Sequence, residues 1–144
     1  MTDIPGNKTV VVDSDALIGL IHEDDLLHER SVKVASYLAK NSFATIVPGP
    51  IILEAATTLA KDKTINRPDL AKRLLKDYAE IEPALLTSKI FKELASNYST
   101  RTSKQNTPFD YLVVVTAKLQ GIKTVFSFDK FYQKQGLTLA EELL

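Results

Sequence analysis

The sequence predicts an α/β sandwich with a mainly parallel sheet and right-handed crossovers, and three observations predict it. Short β-branched runs alternate along the chain with longer stretches of helical periodicity. The first run, Thr9 to Val12, is continuously apolar instead of alternating, as in a parallel strand buried on both faces. It stops abruptly at Asp13 and Asp15, and open α/β sheets bind their ligands at the carboxyl ends of strands.

The elements follow in order. Residues Met1 to Lys8 read as a flexible leader closed by a Pro5-Gly6-Asn7 turn. After the strand Thr9 to Val12, a short helix begins near Ser14. Asp25 to Lys40 is amphipathic, with Leu27, Val34, Ala35 and Leu38 opposite Glu29, Arg30, Lys33 and Lys40. Ala44 to Val47 is a second strand, stopped by Pro48-Gly49-Pro50, and Pro50 suits the first turn of a helix from Ile51 to about Lys61. Asn66 to Tyr78 is a polar-faced helix, Ile81 marks a weak third strand, and Thr87 caps a helix whose stripe is Ile90, Leu94 and Tyr98. The segment STRTSKQNT, Ser99 to Thr107, is a solvated loop. Thr107-Pro108 opens an apolar helix, Phe109 to Gln120, ended by Gly121. Thr124 to Phe128 is a strand, Lys130 to Lys134 a short helix, and Leu137 to Ala140 an edge strand.

Composition narrows the function classes. At 144 residues, 44% hydrophobic and 25% charged, the chain has the size of one domain with a real core. It contains no cysteine, which excludes disulfides, zinc–thiolate sites and thiol catalysis. The formal net charge of zero argues against nucleic-acid binding through a large basic field. No window has the roughly 20 apolar residues of a membrane span, and MTDIPGNKT lacks the pattern of a secretory signal, so the expected location is cytoplasmic, away from membranes.

The informative signal is where the acids stand. Glu54 is the only charged residue between Lys40 and Lys61, Asp110 between Lys104 and Lys118, and Asp129 between Lys123 and Lys130. Asp13 and Asp15 alone interrupt the span from Lys8 to Glu23. A carboxylate inside an apolar element is costly to bury unless its charge is compensated, whereas Glu141 and Glu142 belong to an ordinary solvated run. Each isolated acid also has a local role open to it. Asp13 and Asp129 are favoured N-cap residues, Asp110 lies where a capping box with Thr107 would place it, and Glu54 lies near a helix start. Capping explains each alone better than it explains all four together.

Several carboxylates at strand ends and helix starts suit a hard cation such as Mg²⁺ or Mn²⁺, which takes oxygen ligands and keeps open positions for water and phosphate. Such an ion activates water and neutralises charge on a phosphodiester. The pattern therefore points to metal-dependent phosphoryl hydrolysis, ahead of a paired-carboxylate glycosidase, for which the chain lacks a sugar-stacking Trp.

The motifs VVVDSDALIGL, PIILEAATTL, TPFDYLVVVTAKLQG and TVFSFDKFYQKQGL, in that order, resemble the PIN domain, in particular the VapC-type toxins of toxin–antitoxin modules, from about Thr9 to Leu139. The resemblance implies a three-layer, Rossmann-like α/β/α sandwich and a Mg²⁺- or Mn²⁺-dependent endoribonuclease. It also implies RNA as substrate, an antitoxin protein as partner and a homodimer. Asp13, Glu54, Asp110 and Asp129 match the catalytic acidic quartet, with Asp13, Asp110 and Asp129 as metal ligands, and Ser14 and Ser127 match the supporting hydroxyl residues. Asp15 stands where the family often has Asn or Ser, so it either adds a fifth acid or caps the short helix, with capping the favoured reading. QNTPF replaces the more usual apolar lead-in to the third acid.

Other side chains carry weaker signals. Arg101 and Lys104 could grip RNA phosphates, although a polar loop also uses cations for solubility. His22 and His28 read as solvated, Phe109 and Tyr111 as core, and Phe131 and Tyr132 as either core or base-stacking residues. Two other functions fit an acidic pocket: a phosphoacceptor receiver-like signalling domain, and a non-catalytic RNA-binding module.

Overall fold

Among the described residues four short strands, all parallel, make one sheet in the order β2-β1-β3-β4. They are β1 (Thr9–Val12), β2 (Ala44–Ile46), β3 (Thr124–Phe126) and β4 (Thr138–Leu139). The computed structural model describes residues 8–101 and 106–144, so the expected leader up to residue 7 and Lys104 of the polar loop lie outside the described residues. Seven helices flank the sheet among the described residues: α1 (Ser14–Ile21), α2 (His28–Lys40), α3 (Gly49–Lys61), α4 (Pro68–Ala79), α5 (Ser88–Asn97), α6 (Pro108–Leu119) and α7 (Phe131–Lys134). This is the α/β sandwich with a parallel sheet that the residue pattern predicts, in the α/β/α form that the family resemblance implies.

The strand order decides where a site forms. From β1 the chain moves outward to β2, then returns across β1 to lay β3 on its other side, with Val10 in register with both Thr45 and Thr124. The direction of winding therefore reverses between β1 and β3, and a crevice opens beyond their carboxyl ends. All four residues of β1 are buried, as the unbroken apolar run requires. Helix α6 packs on β1 and β3 and buries every residue from Tyr111 to Ala117, so it is a helix enclosed on all sides.

Local chemistry explains where boundaries differ from expectation. Helix α2 starts at His28, later than Asp25, because the Asp25 carboxylate accepts from the Leu27 N–H at 2.8 Å and folds a turn that leaves Leu26 98% exposed. Helix α4 starts at Pro68 because Asn66 has a φ of 48°, outside the helical region. No strand forms at Ile81, which is exposed between Glu80 and Glu82. Only a bridge between Pro48 and Ala84 forms, since Pro83 has no N–H for a ladder. Gly121 ends the α6 segment in a left-handed conformation, φ 67°, as its position predicts.

The close crossing of α1 and α2 depends on Gly19. A Cβ there would lie 2.2 Å from the Ser31 Oγ and 3.1 Å from the Ser31 Cβ, and Ser31 is fully buried. His28, expected to be solvated, is half-buried at the same crossing, where its Nδ1–H donates to the Gly19 carbonyl at 2.7 Å. Arg30 of α2 forks onto Glu141 at 2.7 and 2.5 Å and lies 4.7 Å from the Phe128 ring, which ties α2 to the C-terminal turn and to the end of β3. Gly19→Ala should overpack the α1–α2 crossing and lower stability by about 1–3 kcal/mol in urea denaturation. An unchanged midpoint would show that the crossing relaxes freely.

Candidate active site

Asp13 is the first residue after β1, and its backbone N–H extends the ladder to the Phe126 carbonyl at 3.1 Å. The strand thus delivers the carboxylate into the crevice, where it is only 4% exposed. Asp13 is the N-cap of α1, one oxygen accepting from the Ser14 N–H at 2.7 Å. Its other oxygen accepts from the Tyr132 hydroxyl at 2.6 Å. The capping reading of Asp13 is therefore realised, but in a buried place where a cap has no need of a full charge.

Asp15 departs from expectation. Asp13 takes the cap of α1, and the Asp15 side chain turns to the end of β3, accepting from the Ser127 hydroxyl at 3.0 Å and the Phe128 N–H at 2.8 Å. Ser127, fully buried, in turn accepts from the Asp129 N–H at 3.1 Å. A relay thus runs from α1 through Ser127 to Asp129, joining segments more than a hundred residues apart. Asp129 itself is exposed, and its carboxylate accepts from the Phe131 N–H at 2.9 Å, which opens α7.

Glu54 and Asp110 approach from helices. Glu54 lies in the second turn of α3, half-buried, with an Oε1 that is shielded from solvent and has no hydrogen-bond partner. Asp110 is the third residue of α6, and its carboxylate accepts from the Thr107 N–H at 2.9 Å, the capping role anticipated for it. Tyr111 is core, as expected, whereas Phe109 is exposed because it precedes the buried face of α6. Arg101 is exposed in the turn after α5, where its N–H donates to Ser99 Oγ at 3.2 Å, and no described contact joins it to the acids.

These carboxylates share one electrostatic environment. Burial raises the Asp13 pKa well above the usual carboxylate range; repulsion from Asp15 and Asp110 adds to this, and the Tyr132 and Ser14 hydrogen bonds oppose it. Burial also raises Asp15 to about 6, with Asp129 repelling it. Glu54 is raised by burial and by the charges of Asp110 and Asp15, against the pull of the Ser14 hydroxyl. Asp110 is raised by burial and by Asp129. The Tyr132 hydroxyl is pushed far above its ordinary value, first by burial and then by the Asp13 charge.

Oxygen donors alone, crowded enough to repel one another, match a hard divalent cation by kind. Two of those oxygens, Glu54 Oε1 and Asp15 Oδ1, are buried without a partner, which a cation would relieve. Among the described residues no group of three or more His, Asp or Glu stands at the spacing of a finished metal cage. The fit lies in donor chemistry and orphaned oxygens, with no preset ligand spacing. The residue that sequence reasoning undervalued is Tyr132. A tyrosine inside an apolar segment needs a partner for its hydroxyl once the ring is buried, and that requirement was the available signal.

A PIN domain family model matches residues 10–136. No curated protein matches the chain. Among solved structures, that of VapC20 from Mycobacterium tuberculosis, a Sarcin-Ricin loop cleaving toxin, is similar with a TM-score of 0.75. That match covers 90% of this chain and 96% of the other at 12% identity, a likeness of fold.

The raised carboxylates set the sign of a pH dependence. A group whose folded pKa is raised stabilises the fold when protonated, so the contribution of Asp15 is complete below the unfolded value of about 3.9 and is lost as pH rises through about 6. The exposed acids with lowered pKa values, Asp62, Asp69 and Glu141, act with opposite sign and mainly below that window. In chelator the melting temperature should therefore be higher at pH 5 than at pH 7. Asp13→Asn, which removes the ionisable group and keeps a capping oxygen, should leave metal-free stability at pH 7 equal to that of the wild type or above it. A clear loss of stability would make the Asp13 charge structural.

Proposed function

The chain belongs to the PIN-domain family, and from that premise we propose that it is a divalent-cation-dependent endoribonuclease, the toxin of a toxin–antitoxin module. The observation that carries this reading is the group of mutually repelling carboxylates around the buried Asp13 at the switch point between β1 and β3, with Glu54 Oε1 and Asp15 Oδ1 lacking partners. In this reading Asp13, Asp110 and Asp129 hold Mg²⁺ or Mn²⁺, which when bound supplies charge neutralisation for the phosphate and a more acidic water.

The chain's own residues do the rest. Glu54 accepts a hydrogen bond from the attacking water, and its raised pKa suits it to take the proton as the water oxygen bonds to phosphorus. The P–O bond to the leaving nucleotide then breaks, and the leaving oxygen gains its proton from solvent. The Ser14 hydroxyl, next to Asp13, opposes the rise of the Glu54 pKa, and Ser127 sets the backbone that carries Asp129. Arg101 and Lys104 are assigned to RNA phosphates, an antitoxin is the inhibitory partner, and the toxin acts as a homodimer.

One feature weighs against the receiver reading: such a domain concentrates its chemistry on one strand-end Asp, whereas here Asp15, Glu54 and Asp110 from three helices act electrostatically on the same crevice as Asp13.

The test is cleavage of a mixed pool of structured RNAs, including a Sarcin-Ricin loop hairpin, with Mn²⁺ and with chelator. Asp110→Asn keeps an oxygen for the Thr107 N–H and removes only charge. It should lower cleavage by more than the ten- to hundredfold that changes around metal ligands already cost, with the fold intact by circular dichroism. Equal cleavage by both proteins would reduce Asp110 to a helix cap. Mn²⁺ binding without cleavage would favour the binding module, and phosphorylation by a small phosphodonor would favour the receiver.

A further inference from the structure

Tyr132 is fully buried, and its hydroxyl meets Asp13 Oδ2 at 2.6 Å, within the short range of an O–H donor on a carboxylate. A phenylalanine would fill the same ring volume without placing a polar group in a dry interior, so the hydroxyl needs an account beyond packing. Its ring is not free to move. It meets Phe131 edge to face at 5.3 Å, Phe131 meets Tyr111 of α6 at 5.2 Å, and Tyr111 meets Tyr98 at 5.1 Å. An aromatic chain from the end of α5 through α6 to α7 thus fixes where the hydroxyl stands.

The effect on Asp13 is geometric. Donors from opposite parts of the fold hold its two oxygens, the Ser14 N–H at 2.7 Å and the Tyr132 hydroxyl at 2.6 Å, so rotation of the carboxylate would break one or the other. Each oxygen retains a lone pair for a further partner. The Tyr132 N–H also donates to the Asp129 carbonyl at 3.3 Å, so one short turn sets Asp129 and the orientation of Asp13 together.

We propose that Tyr132 is the positioning residue of this site, its hydroxyl locking the Asp13 carboxylate in the orientation that receives the divalent cation. The proposal rests on the metal-dependent reading above. Partners of ligating carboxylates orient their ligands, and losing one typically costs ten- to hundredfold in metal affinity or activity.

The test is Mn²⁺ titration of wild-type protein and Tyr132→Phe, following free Mn²⁺ by electron paramagnetic resonance, with no RNA present. Tyr132→Phe should keep the ring packing and a cooperative metal-free melt, while its Mn²⁺ dissociation constant rises ten- to hundredfold. A purely structural tyrosine would shift the melt and leave the affinity of the folded protein within twofold, which overturns the proposal alone. Wild-type protein that binds no Mn²⁺ overturns both this proposal and the metal-dependent reading. A second measurement covers the case in which the variant does not fold: adding Mg²⁺ to wild-type protein that binds it should perturb tyrosine ultraviolet absorbance, because cation and hydroxyl share one carboxylate. Saturation with Mg²⁺ without any tyrosine perturbation overturns the proposal.

Discussion

A carboxylate at the end of a fully buried strand has to find donors for both oxygens or lose its charge, and the arrangement around Asp13 follows from that constraint. Charge alone disfavours the site, since burial and the neighbouring acids all push the Asp13 pKa upward. Two hydrogen bonds oppose that push, one local, from the N-terminus of α1, and one from a residue more than a hundred positions away. The distant donor is useful only if α7 returns to β1, and β3 makes it return by pairing directly with β1. Sheet order and site geometry are therefore parts of one requirement.

Asp15 meets the same constraint on one oxygen only, its Oδ1 having no partner. Its carboxylate faces the end of β3, where Ser127 and Phe128 offer donors, and the Ser127 hydroxyl passes the order on to the Asp129 N–H. The result is a pair of cross-links between the segment after β1 and the segment after β3, with acids on both sides. Neighbouring layers hold the links in place. Arg30 covers Phe128 from α2, while the aromatic chain from Tyr98 to Tyr132 braces α7 from the α5–α6 side. Exposed ion pairs such as Arg67 with Asp69 contribute little by comparison, because water screens them.

Structural and functional roles coincide on single residues here. Asp13 caps α1 and Asp110 accepts the Thr107 N–H, so both perform the local task that their positions suggest, and both are also members of a repelling cluster in which the pKa of each of these two is raised. An N-cap places a carboxylate at the positive end of a helix, which lowers the cost of holding it in a crowded acidic crevice. Capping and cluster membership are thus cooperative, and the question posed by each acid in isolation has a joint answer.

The sequence by itself determined the alternation of strands and helices, the burial of β1, the stop at Gly121 and the segregation of acids into isolated and solvated populations, because these depend on spacing and residue type along a few neighbouring positions. It also placed Asp13, Glu54, Asp110 and Asp129 at strand ends and helix starts. Boundaries set by a single residue were less legible: the Asp25 turn shortened α2, the left-handed Asn66 delayed α4, and Pro83 kept the segment near Ile81 from becoming a strand. Only the tertiary structure decided what Asp15 and Tyr132 do. Local pattern left Asp15 between a helix cap and a fifth acid and Tyr132 between core and base stacking, since the donors of Asp15 lie beyond β3 and the acceptor of Tyr132 lies at the end of β1. Hydrogen bonds between segments so far apart in the chain leave no periodicity in sequence, and they become visible only when parallel pairing of β1 with β3 brings their carboxyl ends side by side.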